Sequence, residues 1–522
     1  MRSVALKYVC LALMLCLCVA TSIVAARHVP IVIIHTTDLH GHVLSARDYD
    51  GNENIGGLLR CATLIKEWRE KYPNVLLVDI GDLYQGAIES YLSRGLIMNR
   101  ALEWLGYDAW VVGNHEFDWG LRTLSTAIND SSVPVLGANI GVRPGASNPL
   151  SRVQPYVIRQ VDGVRIALVG LTTDAIPTWS RPHLLGDVII EDSVTALRSI
   201  MPAVRAERPD IMILLAHQGY RPFGDSPANQ INRIARHFPE FDVILGGHSH
   251  QPVDQSYVNG ILYSQAGYFG IWLGKVRLVY DTVAREIIEE SGQVQHVSEE
   301  IAKDPALKEA LDADLTRARA LANQQVGELA HSLSARSSTP GQSGVQQLIC
   351  RAIAAATGVD VVLHGRLANE TLAAGPVYRH DVWRIVPYEN TIGVLQLTAG
   401  ELQTILEENV AQIQRSQFMG VHGIKYELHE AAEPGSQIRN LRLADGSAIH
   451  PRRRIGVALN SYVLASGGSR FLAARRLADD PLTRLEMTDV DTRSAVITYL
   501  QRNRPLAVDD NASAMQRVRA SN

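Results

Sequence analysis

The sequence predicts a two-domain α/β protein: a layered first domain, a helical connector and a smaller second domain. Three observations carry that reading. From Val29 to about Ser298, short apolar runs alternate with polar, helix-like segments, the pattern of a layered α/β domain. From Glu299 to about Gln325 the chain is rich in Ala, Leu, Lys, Glu and Asp and has no Gly, the composition of one helix of high propensity. Past a Ser/Gly/Pro-rich loop at Ser332–Gly344, strand-like runs return.

The N-terminus has the build of a secretory signal peptide. Arg2 and Lys7 give a positive start, Tyr8–Ala20 is apolar, and Val24-Ala25-Ala26 offers a small-residue cleavage site. The apolar run is short for a membrane span of about 20 residues, so cleavage and export are expected, with no stable membrane insertion afterwards. Cys10, Cys16 and Cys18 would leave with this segment, and only Cys61 and Cys350 remain. That is too few for a disulfide scaffold.

Strands are expected at Ile31–Ile34, Val75–Ile80, Ala109–Val112, Val164–Leu171, Ile211–Leu215 and Val243–Leu245, each an apolar run bounded by Gly, Asp or Asn. Leu58–Lys71 and Ser193–Arg208 read as amphipathic helices between them. In the second domain the strand signals are Val359–Leu363, Thr391–Leu397 and Arg454–Leu459. The expected division is residues 1–26 signal, 27–298 first domain, 299–325 connector and 326–522 second domain. At 46% hydrophobic and 20% charged, the 522 residues have an ordinary globular composition. Fifty basic and 54 acidic residues give a net charge of −4. No basic excess marks a nucleic-acid binder.

Five apolar runs of the first domain end in residues that can ligate metals. They lead into Asp38-Leu-His40, Gly81-Asp82, Gly113-Asn114-His115-Glu116, His217 and Gly246-Gly247-His248-Ser249-His250. Open α/β sheets bind ligands beyond the C-terminal ends of their strands, so the five clusters are expected to converge. Taken singly, Asp82 or His217 could be an ordinary loop residue. Together the clusters form a set of imidazole and oxygen donors without a thiolate, which suits Zn, Mn, Co or similar ions. Seven donors are too many for one tetrahedral ion. Two divalent ions sharing a carboxylate fit better, and paired metals serve phosphoryl transfer.

In order and spacing these motifs resemble the calcineurin-like metallophosphoesterases. The string Gly113-Asn-His-Glu-Phe-Asp-Trp-Gly120 is similar to the 5′-nucleotidase branch, which includes the UDP-sugar hydrolases. The resemblance implies a four-layer sandwich, a helix, and a smaller α/β substrate-binding domain. It implies one metal on Asp38, His40 and His250, another on Asn114, His217 and His248, and Asp82 between them. It further implies a catalytic dyad of His115 and Asp118, and attack by a metal-activated water. Within the motifs, His42 reads as a support for the ligands and Glu116 as structural.

For the second domain the resemblance implies a nucleotide held between two aromatic rings, with arginines on the rest. Tyr388 stands in Pro387-Tyr388-Glu389-Asn390, where related chains carry Pro-Phe. Phe471 closes Gly467-Gly468-Ser469-Arg470-Phe471, in which the family's acid has become Ser469. Arg336 stands where the family places a phosphate-binding arginine. The segment His364-Gly365-Arg366-Leu367-Ala368-Asn369 departs from the usual Asn-Gly-Gly-Gly-Ile-Arg. Asn369 replaces the arginine there, and Arg366, three positions earlier, is the candidate substitute.

Three functions follow in order of expectation. The first is an exported, periplasmic rather than extracellular, hydrolase of 5′-nucleotides. The second applies the same chemistry to a 2′,3′-cyclic nucleotide, a UDP-sugar, another phosphoester or a thiosulfohydrolase-type substrate. The third is a non-enzymatic binding protein. A small-molecule substrate is expected, not nucleic acid.

Overall fold

A computed structural model describes residues 27–180, 182–415, 418–467, 470–507 and 514–518. The expected signal segment, 1–26, and Gly468 and Ser469 lie outside the described residues.

The apolar runs of the first domain form two facing sheets. One runs, in spatial order, Glu286–His296, Trp272–Asp281, His28–Thr36, Val75–Asp79, Ala109–Val111, Val135–Leu136 and Val153–Gln154. The other runs Pro252–Val258, Ile261–Ala266, Val243–Gly246, Ile211–Ala216, Val164–Leu171 and Tyr156–Val161. Strand alternation sends successive side chains to opposite faces. Ile31 and Ile33 therefore enter the core between the sheets, with Leu168, Ile213 and Leu245. Val32 and Ile34 face the other way, onto Leu59, Ile65 and Leu102 of helices Leu58–Lys71 and Leu96–Leu105. On the second sheet, Val169, Leu214 and Ile244 pack against Leu197 and Ile234 of helices Ser193–Ala206 and Ile231–His237. The result is helix, sheet, sheet, helix: the four layers expected. Because both faces of the central strands are buried, their sequences are continuously apolar instead of alternating.

The single helix expected across Glu299–Gln325 is two helices, Pro305–Ala310 and Asp312–Ala322. Asp304 caps the first by accepting from Leu307 N, and Pro305 occupies its first turn. The break falls at Leu311, with φ −103° and ψ 4°. Leu307, Leu311 and Leu315 all join the helix-side core of the first domain. Spaced four apart, these leucines keep one face of the pair on the first domain across the break.

The second domain is built on a sheet ordered Met419–His422, Val361–Gly365, Ile455–Asn460, Thr391–Leu397 and Glu486–Asp491. One face packs on helices Gly344–Thr357 and Thr492–Arg502, through Val362, Ile349 and Val496. The other packs on helix Ala399–Val410, through Leu363, Leu395 and Ile405. Helix Ala399–Val410 starts at a capping box, Thr398 and Glu401 bonding each other's backbone N–H. Among the described residues, no helix is long and apolar enough to cross a membrane.

Candidate metal centre

The five clusters meet where the two sheets meet. Asp38 and His40 follow strand His28–Thr36, Asp82 follows Val75–Asp79, and Asn114 to Asp118 follow Ala109–Val111. These strands are parallel neighbours in the first sheet. His217 and His248 with His250 follow Ile211–Ala216 and Val243–Gly246, parallel neighbours in the second. The convergence expected at one sheet edge is thus supplied by two sheets, three strand ends from one and two from the other.

The donors fall into two groups, Asp38 with His40 and His250, and Asp82 with His217 and His248. In the first, His250 Nε2 lies 3.2 Å from Asp38 Oδ1 and 3.1 Å from His40 Nε2. In the second, His217 Nε2 lies 3.1 Å from Asp82 Oδ2 and 3.3 Å from Asn114 Oδ1. Asp82 Oδ2 is also 3.9 Å from His40 Nε2, which places this carboxylate between the groups. His40 Nδ1 donates to Gln85 O at 2.7 Å, and His217 Nδ1 donates to Ile80 O at 2.7 Å. Each ring is thereby held with Nε2 turned inward.

Several features fit divalent cations. Asp38 and Asp82 are fully buried, and among the described residues their ion-pair partners are histidines, not Lys or Arg. Asp38 Oδ1 is buried without a hydrogen bond. Burial pushes the His40 and His248 imidazoles down to about 3, so neither is a ready cation itself. For His217, burial pushes down but Asp82 outweighs it and lifts the ring to about 9. Among the described residues, the positive charge beside Asp82 comes from the proton on His217.

The backbone carries the same signature. Asp38, His40, Asp82, His248 and His250 all have φ between 46° and 67°, the left-handed region that non-glycine residues seldom occupy. Glu116 explains part of how this is sustained. Its carboxylate accepts from Asp82 N, Leu83 N, Tyr84 N and Gly113 N at 2.6–3.1 Å, so it ties two ligand loops together. His42 stacks on Phe269 with ring centroids 4.1 Å apart, and its Nδ1 bonds Leu39 O.

The expected dyad lies at the mouth. His115 Nδ1 and Asp118 Oδ2 are 2.6 Å apart, with side chains 29% and 26% exposed. The His115 and His40 rings are 5.2 Å apart. Burial pushes the His115 ring down, but Asp118 and then Asp82 outweigh it and lift it to about 10.

The second-domain expectations fare differently. Tyr388 reaches the metal centre, its ring 6.3 Å from His40. Arg336 is exposed and points Nε at Asn369 Oδ1, 3.4 Å away. Arg366 Nη1 donates to Ala335 O at 2.6 Å and its Nε is buried without a partner. Phe471 corrects the expectation: it is 1% exposed and lies in the domain core. It is the residue that starts helix Leu472–Asp479, with its N–H on Ser466 Oγ, and the turn directs its ring inward. Tyr462, 38% exposed, is the open ring nearby, bonded by Arg470.

The sequence reading missed an aromatic collar. Trp179 stacks on His248 at 5.2 Å, and Tyr268 stacks on His250 at 5.3 Å. Tyr49 Oη lies 2.6 Å from His250 Nδ1 and 2.6 Å from Tyr388 Oη. No motif marks these residues, which lie outside the five donor clusters.

A family model of calcineurin-like phosphoesterases matches residues 31–252, and one of 5′-nucleotidase C-terminal domains matches residues 323–476. The endonuclease YhcR of Bacillus subtilis is 26% identical over 476 residues, covering 88% of this chain and 39% of that protein. The chain therefore spans well under two thirds of that relative. A snake venom 5′-nucleotidase from Crotalus adamanteus is 26% identical over 470 residues, 82% of this chain and 78% of the enzyme. The crystal structure of a 5′-nucleotidase precursor from Thermus thermophilus shares the fold, with TM-score 0.70 and 22% identity over 94% of this chain and 99% of that one.

Proposed function

Since the chain belongs to the 5′-nucleotidase family of two-domain metallophosphoesterases, we propose that it is a metal-dependent phosphoester hydrolase that releases phosphate from 5′-nucleotides. The observation that carries this reading is the pairing of two buried donor groups with a His–Asp dyad at their mouth. Two divalent cations, when bound, supply Lewis acidity to the phosphoryl oxygens and acidify a water for attack. The chain supplies the rest. Asp38, His40 and His250 would hold one cation, Asn114, His217 and His248 the other, and Asp82 would face both. His115 Nδ1 is spent on Asp118, which leaves Nε2–H to face a phosphoryl or leaving-group oxygen. Tyr388 offers a ring to a nucleobase next to the centre.

A second reading keeps the chemistry and changes the substrate. It draws support from Phe471, packed in the core, and from Asn369, where a guanidinium would serve a bidentate anion. We further read residues 1–26 as an export signal, with a periplasmic destination, and the substrate as a small molecule, not a polynucleotide.

The test is phosphate release by the mature protein with Mn, Co or Zn. The panel is AMP, UDP-glucose, 2′,3′-cyclic AMP, an aryl phosphate and, given the endonuclease relative, single-stranded DNA and RNA. His115→Ala is the control. AMP turnover falling about 10²–10⁴-fold in the variant supports the first reading. Aryl phosphate turnover without AMP turnover moves the assignment to the second. No turnover of any ester with both cations bound ends both.

A further inference from the structure

Tyr49 sits on the loop Ala46–Ile55, outside every ligand motif, yet its hydroxyl touches both domains. It lies 2.6 Å from Nδ1 of the candidate ligand His250 and 2.6 Å from the hydroxyl of Tyr388 in the second domain. The residue is held to that task. Asp48 Oδ1 accepts from the N–H groups of Asp50, Gly51 and Asn52 at 2.7–3.0 Å, which fixes the loop tip. The Tyr49 ring stacks on Tyr268 at 4.5 Å, and Tyr268 in turn stacks on His250. The neighbouring Arg47 pairs with Glu370 of the second domain, so the loop docks there at two points.

We propose that Tyr49 is the positioning residue of His250, fixing its tautomer and orientation for the first cation and relaying the approach of Tyr388 to that cation. The hydrogen-bond chemistry makes this directional. With Nε2 given to the cation, Nδ1 carries the proton and donates to Tyr49 Oη. The Tyr49 hydroxyl is then free to donate onward to Tyr388 Oη. His40 and His217 use fixed backbone carbonyls for the same purpose. His250 uses a side chain that is 58% exposed and bonded to the other domain. One of the two cation sites is thus supported from within the first domain, and the other partly from across the domain junction.

The inference rests on the reading that both donor groups hold cations, and the experiment separates the two. Metal-free protein is titrated with Mn(II) by calorimetry, as wild type, Tyr49→Phe and Tyr388→Phe. In Tyr49→Phe one site is expected to weaken at least tenfold, in the range that supporting hydrogen bonds to metal-bound histidines contribute. The Asp82–His217–His248 site in the same molecule is the control for folding, and its affinity is expected to hold. Tyr388→Phe keeps the His250–Tyr49 pair but removes its link to the second domain, and is expected to weaken that one site by a smaller factor than Tyr49→Phe does. Wild type that binds no Mn(II) overturns the metal reading itself. Wild type with two sites and an unchanged Tyr49→Phe overturns the inference alone. An equal loss in both variants overturns it too, because the effect would then belong to the junction as a whole.

Discussion

At the scale of single residues, the centre is bounded by atoms that leave no room for substitution. Gly113 precedes Asn114, and a Cβ there would lie 2.4 Å from both the backbone N and Oδ1 of Asp82. Gly247 is similar: its Cβ would meet Thr37 Oγ1 at 2.4 Å and Asp38 Oδ2 at 3.3 Å. These contacts are with groups that cannot retreat, since Asp82 is held by Glu116 and its neighbours. Gly113→Ala is expected to lower stability by about 1–3 kcal/mol, the usual result of overpacking. It should also weaken cation binding at least tenfold by displacing Asp82. Thermal melts with and without Mn(II) would show it: the variant loses most of the shift that the cation gives wild type. A full wild-type shift would mean that the loop yields without moving the carboxylate.

At the scale of elements, the buried strands and their terminal clusters were legible in the sequence, because one periodicity and five donor motifs both survive without tertiary information. Helix Leu58–Lys71 and strand Thr391–Leu397 fall where the pattern put them. The connector was not legible as a bent pair, since propensity says nothing of the surface beneath it. Phe471 was misjudged for a related reason: a ring in a glycine-rich segment gives no sign of which side of the turn it takes. His364 shows how an altered motif can become structural. It is 1% exposed in strand Val361–Gly365, bonding Gly365 O through Nδ1 and taking Asn460 Nδ2 on Nε2 at 3.1 Å. Burial pushes this imidazole down to about 4. The unfolded chain binds its proton near pH 6.5 and the folded chain does not, so stability falls as the pH drops from 6.5 towards 4. The loss from this one group approaches about 3 kcal/mol at the lower limit. Denaturant titrations of wild type and His364→Asn across that range test it. The variant is expected to show the shallower pH slope, whatever its stability at neutral pH; equal slopes would remove His364 from the account.

At the scale of the whole molecule, one short segment of the second domain spans the centre. Tyr388 approaches His40, while its neighbour Glu389 accepts from Nε1 of Trp119, the residue after Asp118. Arg493 holds the segment from behind. It is 2% exposed, donates to Val386 O at 2.7 Å and to Pro387 O, and reaches Gly86 O of the first domain at 3.2 Å. It also lies 3.3 Å from Glu389 and 4.5 Å above the Trp383 ring. Among the described residues, charged and polar contacts thus join the domains, beside the edge-on packing of Tyr91 on Trp383. Such junctions favour relative motion over fusion. The Glu389 carboxyl is pushed up by burial and eased by Arg493, so it depends on its few donors. Trp119→Phe removes one of them and keeps the ring that Tyr91 and Arg94 pack against. The cost of an unmet buried acceptor, about 1–3 kcal/mol, should move the population towards separated domains. Solution scattering is expected to give a larger radius of gyration for Trp119→Phe than for wild type, with the Mn(II) content unchanged. Turnover should fall several-fold, because the second domain would present its substrate to the centre less often. An unchanged scattering curve with the same loss of turnover would place the effect in the adjacent Asp118 instead, and the junction would then be held by Arg493 and the Arg47–Glu370 pair.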